Sequence, residues 1–107
     1  MKLHVRDRLL LLQMLPAEGD LTMIRIVRKL REALSFTEIE HAEFQLTLKG
    51  NNYTWNPAND VGAEIEIGAK AKEIIGIGFE ALNKSGKFTE AHLAIYDQIM
   101  EPENVAS

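Results

Sequence analysis

Residues 44–55 read FQLTLKGNNYTW. Apolar and polar residues alternate from Phe44 to Lys49 and again from Tyr53 to Trp55, with Gly50, Asn51 and Asn52 between them. A period of two sends successive side chains to opposite faces of a strand. Gly and Asn tolerate the positive φ that tight hairpin turns require. The stretch therefore predicts a β-hairpin in a chain whose other apolar patterns are helical, and it decides the fold class as α+β. On this parity Leu46, Leu48, Tyr53 and Trp55 share one face, which we expect to look into the core. A slip of one residue would turn Tyr53 and Trp55, the only Trp, outward as a binding patch.

Downstream, the loop NPANDVG (56–62) leads to AEIEI (63–67), where the alternation returns. Ile65 and Ile67 would join the apolar face of the hairpin. The expectation is a small three-stranded antiparallel meander with one face on the helices. From about 69 to 83 the apolar residues fall on one broad helical arc, NKSGK supplies a turn, and a last helix runs over about 90–100. EPENVAS (101–107) reads as a flexible tail.

Upstream, LTMIRIVRKLREAL (21–34) places Met23, Ile26, Val27, Leu30, Ala33 and Leu34 on one arc, with Asp20 as its N-cap. Arg25, Arg28, Lys29 and Arg31 fill most of the other arc. Thr37 with Glu40, or Ser35 with Glu38, makes a capping box for a short helix at about 37–43. The same chemistry recurs in KFTEAHLAIY, where Phe88 and Leu93 sit at hydrophobic-staple positions. Leu3 to Leu15 is apolar almost all round, so this first helix should be buried on several sides, centrally or against a second copy. Its apolar run is short, charges reach position 8 and no small-residue cleavage site follows, so it reads as a core helix rather than a signal peptide or membrane span. The expected order is α-α-α-β-β-β-α-α in one domain, residues 1–100.

At 107 residues, 46% of them hydrophobic, the chain can bury one core without staples. It has no Cys, which excludes disulfides, thiolate zinc sites and thiol nucleophiles and fits a cytoplasmic setting. The net charge of −4 conceals a basic start and an acidic remainder. Such a chain can fold its ends together or offer its basic face to an acidic partner.

Chemical motifs are sparse. Gly76 and Gly78 in GIGFEA lack the third glycine and preceding strand of a dinucleotide fingerprint, and read instead as close helix packing. Glu38-x-x-His41 is a single step where a di-iron bundle needs two, so neither metal nor cofactor is expected. His41 and His92 are expected at solvent-facing or capping positions. No hydrolase elbow or phosphate loop is present, and the expectation is a non-catalytic protein. Asn52-Tyr53-Thr54 and Asn83-Lys84-Ser85 match the glycosylation triplet by chance in turns. Three helices before a hairpin also fit a winged helix, but its recognition helix would carry Glu38, Glu40 and Glu43 against phosphate repulsion. The binding candidates are therefore Arg25, Arg28, Lys29 and Arg31, facing a protein surface, a nucleotide or a nucleic acid.

The run LPAEGDLTMIRIVRKLREALSFTEIEH, followed by YTWN, EIEIG and FTEAHLAIYDQI, resembles a group of small phage and prophage proteins. Its members pair a Leu-Pro…Gly start and an Arg-x-x-Arg-Glu helix with a Phe-Thr/Ser-Glu cap, and the likeness spans about residues 10–100. The resemblance implies an accessory viral protein acting inside a bacterium. Such proteins often bind a host or viral protein stoichiometrically, and some sequester nucleotide signals. The group carries no catalytic signature, so no functional residue transfers. With the over-apolar first helix, the expectation is a homo-oligomeric binder of a protein partner, away from membranes.

Overall fold

The computed structural model describes residues 1–100; the tail expected at 101–107 lies outside them. A short strand β1 (Lys2–Leu3) opens the chain, followed by helices α1 (Val5–Met14), α2 (Leu21–Leu34) and α3 (Glu38–Phe44). Then come β2 (Thr47–Lys49), β3 (Asn52–Thr54), a 3-10 turn at Pro57–Asn59, β4 (Ala63–Glu64), α4 (Ala69–Ser85) and α5 (Glu90–Met100). The class is α+β, as the alternation in 44–55 requires. No helix among the described residues is long and apolar enough to cross a membrane.

The three-stranded meander is not formed. β2 and β3 make an antiparallel hairpin with Leu48 opposite Tyr53, while β4 pairs with β1, Leu3 opposite Ala63. The ladder continues where Ile65 N–H donates to the Met1 carbonyl at 2.8 Å. Two things divert β4. The 3-10 turn breaks the path away from β3, and the chain start offers a backbone edge that the helical reading of Leu3 had concealed. Leu3 thus belongs to a strand, and the order is β-α-α-α-β-β-β-α-α.

Helix ends follow the local chemistry. Asp20 accepts from Met23 N–H at 2.8 Å and starts α2. Thr37 and Glu40 exchange bonds at 3.1 and 3.0 Å, so their capping box prevails over Ser35 with Glu38. Thr89 and His92 repeat the arrangement at α5: His92 Nδ1 accepts from Thr89 N–H at 3.1 Å, and Thr89 Oγ1 accepts from His92 N–H at 3.3 Å. His92 is therefore a capping residue, and His41 is exposed. Phe44 ends α3 rather than starting a strand, because Gln45 turns left-handed at φ 54°.

Two apolar clusters hold the molecule. The larger joins α2, α4 and α5 through Leu30, Leu34, Ile75, Phe79, Ile95 and Ile99, with Leu3, Leu11 and Ile65. The smaller gathers Val5, Phe44 and Leu46, with Leu9, Phe36 and Trp55 against them. α1 lies between the two. Leu10, Leu12 and Met14 pack on the first cluster and Leu9 on the second. Its all-round apolarity is thereby absorbed within one chain. Gly78 lets α4 approach it: a Cβ there would stand 2.7 Å from the Met14 carbonyl oxygen. The close-packing reading of the glycine pair holds at this position.

The loop 56–62 acts as a clasp. Both carboxylate oxygens of Asp60 accept from Val5 N–H, at 3.2 and 3.1 Å, which places a negative charge at the N-terminus of α1. Asn59 Nδ2 donates to the Glu43 carbonyl at 2.9 Å, and Asn56 N–H donates to the Phe44 carbonyl at 2.8 Å. Gln98 of α5 reaches across to the Lys2 carbonyl at 2.7 Å.

Candidate interaction surfaces

The hairpin keeps the parity read from the sequence, yet only half of its apolar face is covered. Leu46 is buried and Trp55 is half-buried on the smaller cluster. Leu48 and Tyr53, one step further out on the same face, are 55% and 39% exposed. Our expectation that Tyr53 and Leu48 cover the core is therefore corrected. The register is right, but the hairpin projects past the core it stands on. Its two-residue turn has positive φ at Gly50 (63°) and not at Asn51, the pattern of a turn with Gly first. Tight register fixes Leu48 against Tyr53 as a cross-strand pair, while Thr47, Lys49, Asn52 and Thr54 occupy the opposite face.

Arg25, Arg28, Lys29 and Arg31 are all exposed on α2, and none has a carboxylate within ion-pair distance among the described residues. They do not act as one patch. At about 100° per residue, Arg25 and Arg28 point outward, Arg31 lies about 120° round from Arg25, and Glu32 falls between Arg25 and Arg28. Lys29 lines a hollow of about 450 Å³ where α2 meets the β4–α4 junction, together with Glu64 and Glu66. The outer face of α4 neutralises itself through Lys70–Glu73 at 3.7 Å and Lys84–Glu80 at 3.6 Å.

Arg8 is the charged residue that our sequence reading missed. It is 2% exposed on α1. Its guanidinium lies 4.0 Å over the Phe36 ring. It donates to the Leu34 and Ser35 carbonyls at 3.0 and 2.7 Å and to both Glu40 oxygens at 2.6 and 3.1 Å. One side chain thus closes the C-terminus of α2 and fixes the capping glutamate of α3. The Arg8 hydrogen bonds, helped by the Thr37 backbone, hold the Glu40 carboxyl below the ordinary carboxylate range against the opposing effect of burial. The signal was present in the sequence: Arg8 shares the i, i+3 face of Val5 and Leu11, an otherwise apolar face of α1 on which a cation needs a buried partner. The site is structural, because every donor that faces inward is used within the chain.

The basic start does meet the acidic remainder of the chain, through Arg8–Glu40 and through the N-terminal ammonium on Glu64 at 3.0 Å. Among the described residues no three His, Asp or Glu side chains converge as metal ligands. No protein-family model, curated protein or solved structure matches this chain.

Proposed function

We propose that this chain is a non-catalytic interaction protein whose hairpin face, Leu48 and Tyr53 beyond Trp55, engages a protein partner. The carrying observation is the apolar face that continues past its own core. A projecting Tyr–Leu pair on a fixed register offers contact area at low entropic cost, and aromatic anchors of this kind dominate protein interfaces. The resemblance to phage accessory proteins supports a host or viral protein as the partner, inside a bacterium. Homo-oligomerisation loses its original motive, because α1 is satisfied within one chain.

The test is affinity capture from bacterial cells with wild type and with Leu48→Ser/Tyr53→Ser. We expect at least ten-fold less partner on the double variant, about 1.4 kcal/mol or more, with unchanged melting. Equal capture by both proteins would sink the reading.

A second reading is supported by the four cations of α2, which have no ion-pair partner among the described residues: an anionic ligand, nucleotide or nucleic acid, on Arg25 and Arg28. It predicts binding that weakens steeply with salt and disappears in Arg25→Glu/Arg28→Glu. Salt-insensitive binding, or binding retained by the double reversal, would exclude it.

A further inference from the structure

The seam between α2 and α4 holds two hollows in a row, about 200 Å³ and 450 Å³, and both are lined by Ile26. Ile74 and Ile77 belong to the first, and Leu30 and Ile65 to the second. Thr22 lines one end and Ala33 the other, so at 1.5 Å per residue the groove runs for about 16 Å. The residues of α2 and its cap that line the two hollows centre about seven positions apart, roughly 10 Å along the helix, close to the i, i+7 spacing of a helix laid along them. Lys29 lines the second hollow from α2, and Glu66 lines it from the segment between β4 and α4. Both are exposed and without an ion-pair partner among the described residues. Glu64 is held by the N-terminal ammonium instead.

We propose that this groove docks an amphipathic helix of a protein partner: an apolar stripe in the two hollows, an acidic flank on Lys29 and a basic flank on Glu66. The apolar floor and the paired spacing fit helix-in-groove recognition. Lys29 and Glu66, opposite in sign, decide the occupant, because Glu66 repels a phosphate backbone and a one-sign helix satisfies only one of the two, while Lys70 and Glu73 in the first hollow pair with each other. This surface is separate from the hairpin, so each can fail alone.

The experiment uses three stapled synthetic helices of about fourteen residues, each with leucines at i, i+4 and i+7. One carries Glu along one flank and Lys along the other, one carries Glu on both, and one carries Lys on both. Each is titrated into isotope-labelled protein and followed by amide shifts. Wild type should bind the mixed helix about five-fold more tightly than either other, with shifts at Ile26, Ala33 and Ala71. Lys29→Glu should transfer the preference to the Lys-flanked helix, and Glu66→Lys to the Glu-flanked one. Leu48→Ser/Tyr53→Ser should leave every titration unchanged. No saturable shift at about 1 mM, shifts confined elsewhere, or preferences unmoved by the two wall variants would each overturn the proposal.

Discussion

Arg8 ties three helices through one guanidinium, and its removal should be felt far beyond α1. Arg8→Ala leaves Glu40 without its cation and two helix-end carbonyls without this donor, which should cost about 3–5 kcal/mol in urea unfolding. A loss under 1 kcal/mol would show the pair to be dispensable. Acid acts on the same link. Because the folded state holds the Glu40 pKa below its ordinary 4.5, the stabilisation is fully present above that value and is lost as pH falls through the lower, folded-state value. Wild type should therefore lose more stability than Glu40→Gln between pH 7 and pH 3, about the acid range of carboxylates; parallel losses would contradict the assignment. The two glycines of α4 offer a contrast at the same scale. Gly78→Ala should cost about 1–3 kcal/mol through overlap with the Met14 carbonyl. Gly76→Ala meets only the mobile end of Met100 at 3.1 Å and should be neutral or gain up to about 1 kcal/mol. Thermal melts of both variants decide it.

At the scale of elements, the helices were legible because capping boxes and a 3.6-residue period are local signals. α2 begins and ends where Asp20 and the apolar arc place it, and Thr37 with Glu40 fixes α3. The strands were less legible. Parity assigned the hairpin faces correctly, but nothing in three-residue strands says how much core lies beneath them. Leu46 and Trp55 found one; Leu48 and Tyr53 did not. The pairing of β4 with β1 depends on contacts between residues sixty apart, which no local pattern records. The hairpin supplies its own test. Trp55→Ala should cost about 2 kcal/mol, a half-buried share of a full core truncation, while Leu48→Ser should stay within about 0.5 kcal/mol of wild type. Equal losses at both positions would mean that the tip is packed after all.

For the whole molecule, the basic start and acidic remainder of the chain are joined at two points, leaving the α2 cations free among the described residues. Arg25→Glu/Arg28→Glu should therefore leave the melting temperature within about 2 °C of wild type; unfolding would show that the arginines hold the fold. Charge position could be read from the sequence, and so could the faces, since Arg8 shares that of Val5 and Leu11 and Arg25 the polar arc of α2; the partner that Arg8 finds, Glu40, is a property of the tertiary structure. Site-specific photocrosslinking in bacterial cells shows whether the uncovered face of the hairpin meets a partner. A benzophenone side chain placed in turn at Leu48, Tyr53, Thr47 and Asn52 samples both faces of the same ribbon. One discrete heavier adduct is expected from Leu48 and Tyr53 and none from Thr47 and Asn52. Adducts from all four positions alike, or from neither apolar one, would contradict it.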